Sequence, residues 1–176
     1  MHVIDEIDDS EKPYIEYLAG RAVPKVSPKR RHGIVQGRLW AILQELARGR
    51  GDVATEWRCY LPAEAHRTSP VPDVAFISNE RLAPLTEDER EMPQFAPDVA
   101  VEVRSEDDKR RNLEWKIAAY LRHGAVLVLD VLPLERRIVA HTRGSVREFT
   151  QDDRFTCDAL PWLSFDVRDV FADLPK

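Results

Sequence analysis

A glutamate inside the most apolar segment of the chain is the feature that most constrains its fold. Glu102 lies within the run Val99-Ala100-Val101-Glu102-Val103. A run that is apolar on both faces is typical of a strand at the centre of a sheet that is covered on both sides. An ionised carboxylate buried there without a partner costs several kcal/mol. Glu102 therefore requires a metal ion, a lysine or arginine, or an opening to water at the end of its strand.

Asp73 is the candidate for a second carboxylate at the same place. It follows Pro72 at the opening of a strand predicted over Val71–Ile77, where the stiff proline backbone can aim the side chain at the end of the sheet. A Pro-Asp pair by itself is more often a turn or capping pair. With Glu102 on the next strand, however, Asp73 completes the minimum oxygen set for Mg²⁺ or Mn²⁺, which keep several waters and take one or two protein carboxylates.

Lys116 is the third candidate, on a helix predicted from about Asp108 to His123. It borders the apolar stripe of that helix, so its side chain can face the sheet. That stripe consists of Leu113, Ile117, Tyr120 and Leu121. A lysine there can balance the two carboxylates, or hold an attacking water and stabilise negative charge on a phosphate. The alternative is a lysine whose ammonium reaches solvent over the edge of the helix.

Hydrophobic periodicity along the rest of the chain predicts an α/β fold. Apolar residues at three- and four-residue steps indicate a helix from Lys29 or Arg31 to Arg48, ended by Gly49 and Gly51. The other predicted strands are Tyr14–Leu18 and Arg21–Val26 around Ala19-Gly20, Val53–Leu61, Asp98–Arg104, Val126–Leu132, Arg136–Thr142 and Val146–Phe149. We predict a loop with little regular structure over Ser78–Pro97 and a C-terminal segment, Leu160–Leu174, that docks on the body.

This order of elements predicts a mixed sheet with helices on its faces. A length of 176 residues suits one domain, and we expect residues 1–176 to form it. With 43% hydrophobic and 32% charged residues and no apolar run near the roughly 20 needed to span a bilayer, we expect a cytoplasmic protein that does not enter membranes. The acidic segment Met1–Glu11 is unlike a signal peptide, and Cys59 and Cys157 are expected to be reduced, partly buried thiols.

The net charge of −5 argues against a protein that coats nucleic acid non-specifically. Two local clusters can still form a basic face for a nucleic-acid backbone. They are Lys25, Lys29, Arg30 and Arg31 near the N-terminus, and Lys109, Arg110 and Arg111 in the middle of the chain. The equally plain interpretation is a solvated surface crossed by salt bridges.

The order of these motifs resembles a known nuclease superfamily. Pro72-Asp73, then Glu102-Val103-Arg104 and a following helix, resembles the active-site motif of the PD-(D/E)xK nucleases. A wider set of residues, covering Tyr14 to His141, resembles its Uma-two branch, bacterial proteins described as restriction endonucleases. That set is Glu16, Gly20, Ser27-Pro28, His32, Pro72–Ile77, Pro97-Asp98, Glu102-Val103, Ser105, Lys116, Tyr120, Gly124 and Asp130.

The resemblance implies a restriction-endonuclease-like fold in which Asp73, Glu102 and the Val103 carbonyl bind a divalent metal. The superfamily places its lysine two residues after the glutamate, where this chain has Arg104. Arginine keeps its proton at neutral pH, so Arg104 can clamp a phosphate but cannot act as a base. Lys116 matches the position to which the Uma-two branch moves the lysine. Glu16, His32 and Tyr120 match supporting positions, although His32 can equally be bonded locally at a helix start.

The implied activity is Mg²⁺- or Mn²⁺-dependent hydrolysis of phosphodiester bonds in DNA. Lys29, Arg30 and Arg31 are then expected to contact the DNA backbone. A homodimer is expected by analogy, because cutting two DNA strands needs two sites. The alternatives are a catalytically silent nuclease fold that serves as a DNA-binding or assembly module, a hydrolase of another substrate class, or a structural domain. A GxSxG elbow is absent from the sequence, and Gly49-Arg50-Gly51 lacks the length and lysine of a P-loop.

Overall fold

The computed structural model of the protein describes residues 15–25, 28–62, 66–106 and 109–174, which form ten strands and five helices. In chain order they are β1 (Ile15–Leu18), β2 (Arg21–Pro24), α1 (Arg30–Leu46), β3 (Gly51–Thr55), β4 (Val74–Ser78), α2 (Asn79–Leu82), α3 (Glu87–Glu91), β5 (Val99–Val103), α4 (Arg110–Arg122), β6 (Leu127–Leu132), β7 (Arg137–His141), β8 (Val146–Thr150), β9 (Arg154–Phe155), β10 (Phe165–Asp166) and α5 (Val167–Phe171).

A six-stranded sheet in the order β3-β4-β5-β6-β7-β8 forms the centre of the structure. Strands β5 and β6 are parallel, and the other neighbouring pairs are antiparallel. A parallel pair needs a crossover connection, which α4 supplies between β5 and β6. The predicted mixed sheet with flanking helices is therefore confirmed.

The two faces of the sheet are covered by different helices. Side chains alternate between the faces of a strand, and β5 is buried along its whole length. Val99, Val101 and Val103 lie in the apolar cluster formed with α1, α5 and the C-terminal segment, whereas Ala100 lies in the cluster formed with α4. Glu102, two residues after Ala100, consequently points toward α4.

Strand β3 is shorter than the sequence predicts. The predicted strand Val53–Leu61 ends at Thr55, because Glu56 adopts a left-handed backbone with φ 53° and the chain leaves the sheet. Cys59 and Leu61 remain buried in the cluster around α4, and their backbone amides donate to the carbonyls of Pro70 and Thr68. The alternation that suggested a strand thus belongs to a loop that packs one side on the core.

The predicted unstructured loop Ser78–Pro97 contains two short helices, α2 and α3, so that prediction was wrong in part. Helix α3 begins with a capping box, in which the Thr86 hydroxyl accepts from the Glu89 amide and the Glu89 carboxylate accepts from the Thr86 amide. Thr and Glu three residues apart are the sequence signature of such a start. The many charged residues of this segment favoured the prediction of a loop instead.

The strand predicted over Val71–Ile77 begins three residues later, at Val74, so Asp73 lies just before it. The remaining predictions of elements agree with the structure, apart from small differences at their ends. Strands β1 and β2 form the predicted hairpin, α1 and α4 the predicted helices, and β7 and β8 the hairpin at the edge of the sheet. The predicted ends at Tyr14, Val26 and Asp108, with Ser27 and the segment Met1–Glu11, lie outside the described residues. Both cysteines are buried free thiols.

The C-terminal segment docks on the body of the protein, as predicted, and the structure shows that it does so on the face that α1 covers. Phe155 of β9 lies between Phe149 and Phe165, at ring-centroid distances of 4.9 Å and 4.8 Å. Strands β9 and β10 pair with each other, a contact that the sequence pattern did not predict. Among the described residues, no helix combines the length and apolar character needed to cross a membrane.

Two glycines provide a test of how closely β3 and β4 approach. A Cβ at Gly51 would lie 2.1 Å from the Ile77 carbonyl oxygen, whereas a Cβ at Gly37, exposed on α1, would meet nothing within 4 Å. We expect Gly51→Ala to lower the free energy of unfolding by about 1–3 kcal/mol, and Gly37→Ala to raise it by up to about 1 kcal/mol. Urea unfolding of both variants measures the difference. Equal stabilities would contradict this close approach.

Candidate active site

Asp73 and Glu102 meet at one end of the β4–β5 pair. Asp73 directly precedes β4, and its amide donates to the Val101 carbonyl at 2.9 Å. Its carboxylate oxygen Oδ2 accepts from the Val103 amide at 2.6 Å. Both carboxylates are buried, with 2% of Asp73 and 7% of Glu102 exposed. The two strands therefore place the predicted acids beside each other.

Glu102 is neutralised by α4. Lys116 Nζ donates to Glu102 Oε2 at 2.7 Å, and the Tyr120 hydroxyl donates to Oε1 at 2.8 Å. Lys116 and Tyr120 are four residues apart and lie on the same face of the helix. Of the possible partners for a buried glutamate, the structure provides a lysine and a tyrosine. The prediction that Lys116 faces the sheet is confirmed, and the alternative of a solvent-reaching lysine is wrong.

A second carboxylate, from the β1–β2 hairpin, completes the surroundings of Lys116. Glu16 Oε1 accepts from Lys116 Nζ and from the Val71 amide, both at 2.7 Å. Glu16 is buried like Lys116. The ammonium is thus held between Glu16 and Glu102, and the hairpin is fastened over the site through a side chain that matched the family pattern.

Asp73 has two nitrogen neighbours of its own. Lys25 Nζ lies 2.9 Å from Asp73 Oδ1, and His32 Nε2 lies 3.3 Å from Oδ2. His32 is in the first turn of α1 and is buried. The structure therefore brings His32 to the candidate acid.

Sequence reasoning missed three residues around this acid. Lys25 was grouped with a basic surface cluster, but its ammonium also contacts Glu56 Oε2 at 2.5 Å and the Val71 carbonyl at 2.9 Å. Gln36 Nε2 donates to Glu56 Oε1 at 2.8 Å and to the Asp73 carbonyl at 2.9 Å. One signal was available, because Gln36 follows His32 by four residues and must share its helix face. The role of Glu56 depends on the bend after β3, which leaves no trace in the sequence pattern.

Arg104 stands where the superfamily has its lysine and makes a different contact. Its Nε and Nη2 donate to Asp130 Oδ1 and Oδ2 at 2.7 Å and 2.5 Å. Asp130 is the buried partner of Glu102 in the parallel register of β5 and β6. A bidentate pair of this kind is strong and geometrically defined. It holds the guanidinium, which we predicted could clamp a phosphate, against the neighbouring strand.

Burial and mutual charge shift the pKa values of these groups. Burial raises the pKa of Glu102, Lys116 opposes that rise, and the Asp73 carboxylate reinforces it. Burial also acts to raise the pKa of Asp73, but the Lys25 ammonium and the His32 hydrogen bond outweigh it and hold that pKa well below its usual range. Burial acts to lower the pKa of Lys116, yet Glu102 and Glu16 raise it above its ordinary value. Lys116 is therefore an ammonium at neutral pH.

The donor set fits a hard divalent ion. Asp73 Oδ1 is buried and, within the described part of the chain, has no aligned hydrogen bond, although Lys25 lies close to it. Each carboxylate oxygen offers two lone pairs, so the contacts of Asp73 and Glu102 leave room for a ligand bond. No three His, Cys, Asp or Glu side chains of the described residues are grouped to hold a metal. Mg²⁺ is usually bound by one or two protein carboxylates and keeps several waters, so Asp73 and Glu102 would suffice, with the Val103 carbonyl as a further oxygen.

Comparison with known proteins identifies the family. The profile of Uma2, described as "Putative restriction endonuclease", matches residues 4–168. The chain belongs to the Uma2 family. A solved structure from Anabaena variabilis ATCC 29413, described as a putative nuclease belonging to DUF820, is similar with a TM-score of 0.81 and 21% identity over 92% of both chains. That likeness confirms the restriction-endonuclease-like fold. Among curated proteins, none matches the sequence significantly.

In this Uma2 chain a cleft of about 500 Å³ opens onto the site. Its lining includes Asp73, Glu102 and Lys116, with Arg21 and Lys109 on its walls. A second cavity of about 300 Å³ shares His32, Arg104, Ser105 and Leu113 with it and is lined further by Lys29, Arg31 and Arg110. Arg30 is exposed on the first turn of α1. Basic side chains therefore line both cavities, and Arg30 is the chain neighbour of one of them, Arg31.

Lys116 is expected to be essential for stability because two buried carboxylates depend on it. Breaking a buried ion pair by removing one partner costs about 3–5 kcal/mol, so Lys116→Met should lower the free energy of unfolding by that amount. Lys29→Met removes the same charge from an exposed pair with Glu106 and should change it by no more than about 0.5 kcal/mol. Urea unfolding compares the two. Similar losses in both variants would contradict the buried pairing.

Proposed function

We propose that this Uma2 chain is a divalent-metal-dependent endonuclease that hydrolyses phosphodiester bonds in DNA. The observation that carries the proposal is the pair Asp73 and Glu102, two buried carboxylates at the end of adjacent strands, beside a lysine ammonium and open to a cleft. Buried, mutually interacting charges that line a cleft are typical of catalytic sites. Membership of a family described as "Putative restriction endonuclease" supports the same reaction class.

Asp73, Glu102 and the Val103 carbonyl would hold the ion. When bound, a divalent ion lowers the pKa of a coordinated water and offsets negative charge on the phosphate. The Val103 amide and His32 fix one oxygen of Asp73, which orients the carboxylate toward the cleft. Tyr120 and Lys116 fix Glu102 in the same way.

Lys116 acts as a hydrogen-bond donor. Its raised pKa keeps it protonated, so it cannot accept a proton from water. A fixed ammonium can hold the attacking water and stabilise the charge that develops on the scissile phosphate. Glu16 shares the ammonium with Glu102 and thereby positions it.

The central test is cleavage of plasmid DNA with Mg²⁺ or Mn²⁺ and after removal of metal with a chelator. We expect Asp73→Asn and Glu102→Gln each to reduce nicking by about 100-fold or more, because each replaces a charged oxygen ligand. Glu148→Gln removes an exposed carboxylate on β8 and should leave the rate unchanged. Nicking that persists equally in all three variants would overturn the site assignment.

The alternative function, a nuclease fold that binds DNA without cutting it, has a distinct outcome in the same assay. It requires DNA binding without cleavage for the wild-type protein with Mg²⁺ and with Mn²⁺. The Arg104–Asp130 pair is the observation that favours this alternative, since it replaces the lysine of the superfamily motif.

A second prediction concerns two basic residues at the start of α1, Arg30 and Arg31. Each lysine or arginine that contacts a DNA phosphate contributes about one unit to the slope of log affinity against log salt concentration. We therefore expect Arg30→Gln and Arg31→Gln each to lower DNA affinity and to reduce that slope by about 1. Arg168→Gln, on α5 and paired with Asp152, is the control. Slopes identical to wild type would contradict a DNA path over the start of α1.

A further inference from the structure

Lys25 has surroundings that a metal ion would also accept. Its ammonium lies 2.9 Å from Asp73 Oδ1, 2.5 Å from Glu56 Oε2 and 2.9 Å from the Val71 carbonyl oxygen. Two carboxylates and a carbonyl are hard oxygen donors of the kind that Mg²⁺ and Mn²⁺ prefer. The side chain is mostly buried, with 16% exposed. The chain therefore carries its own cation at an oxygen cage on the edge of the candidate metal site.

The position of this lysine is fixed by the β1–β2 hairpin. Lys25 directly follows β2, and Glu16 of β1 is fastened to Lys116 and to the Val71 amide. The Val71 carbonyl in turn accepts from Lys25. The backbone of Val71 thus binds Glu16, which contacts Lys116 beside Glu102, and it also binds Lys25 beside Asp73.

Of the three contacts of the Lys25 ammonium, the one with Asp73 has the poorest hydrogen-bond geometry. The Lys25 ammonium donates hydrogen bonds to Glu56 and to the Val71 carbonyl. It lies close to Asp73 Oδ1 but makes no aligned hydrogen bond to that oxygen. A divalent ion has no directional donor to align and binds such an oxygen well. An ammonium and a divalent ion on one oxygen would repel each other strongly at this distance.

We propose that Lys25 competes with the divalent ion for Asp73, so that the lysine stands in for the ion when none is bound and sets the affinity of the site for metal. This inference rests on the metal site proposed above. Glu56 and the Val71 carbonyl retain the ammonium when the ion takes Asp73 Oδ1. Wild-type protein is then stable without metal, since Asp73 keeps a cationic partner in both states.

The test is the affinity for Mn²⁺ by isothermal titration calorimetry of the full chain. We expect Lys25→Met to bind Mn²⁺ at least tenfold more tightly than wild type, and Lys25→Arg to stay close to wild type because the positive charge remains. Lys109→Met removes a lysine from the same cleft and serves as the matched control. It should change the affinity less than threefold. An affinity of Lys25→Met equal to that of Lys109→Met would overturn the proposal.

Thermal unfolding adds a readout that does not depend on activity. Ligand that binds only the folded protein raises the Tm, and Lys25→Met leaves Asp73 without its ammonium. We expect this variant to unfold at a lower temperature than wild type without metal, and to gain more from Mn²⁺ than wild type does. A smaller gain than in wild type would count against competition.

Magnetic resonance of the wild-type protein tests the same point if Lys25→Met does not fold. With lysine labelled by ¹⁵N and ¹³C, Mg²⁺ should shift the Lys25 ammonium signal more than that of Lys29, whose exposed side chain pairs with Glu106. An unmoved Lys25 signal at saturating Mg²⁺ would overturn the proposal. If neither wild type nor Lys25→Met binds Mn²⁺ or Mg²⁺, the metal-dependent function itself fails, whereas equal binding by both removes only the role of Lys25.

Discussion

The ammonium of Lys116 between Glu16 and Glu102 connects three separate parts of the structure. Glu102 comes from the central strand β5, Lys116 from the crossover helix α4 and Glu16 from the β1–β2 hairpin. Each carboxylate would be costly to bury alone. Because one lysine pairs with both, the helix, the sheet and the hairpin can pack together around the site. The position of the hairpin, and with it that of Lys25, depends on this contact.

Two acids and two lysines then divide the site into halves. Glu102 is paired with Lys116 and Tyr120, whereas Asp73 is paired with Lys25 and His32. In this arrangement each of the two acids has a lysine ammonium beside it, which lets the apolar sheet hold two carboxylates at one end. It also means that an incoming cation must share oxygen atoms that lysines already contact. The proposed nuclease chemistry and the proposed role of Lys25 follow from this one property.

Arg104, two residues after Glu102, shows how the fold tolerates a departure from the superfamily motif. In the parallel register of β5 and β6, Asp130 is the neighbour of Glu102 and would be a further buried negative charge. Arg104 neutralises the Asp130 carboxylate through a bidentate ion pair. With Arg104 on Asp130, the lysine beside Glu102 comes from α4, which lies over the same face of the sheet. The departure and the displaced lysine are therefore parts of one charge arrangement.

The sequence by itself determined the sheet and its covering helices through apolar periodicity, and it pointed to Glu102 as a charge inside an apolar strand, because both are local properties. The choice of Asp73 and Lys116 as candidates also drew on the resemblance to a nuclease family. The sequence also determined that Glu102 must have a partner. Only the tertiary structure decided which partners these are, since Glu16, Lys25 and Glu56 reach the site from a hairpin and from a bend after β3. Those contacts join residues about 30 to 100 positions apart, where the spacing of residue types along the chain carries no information about distance in space.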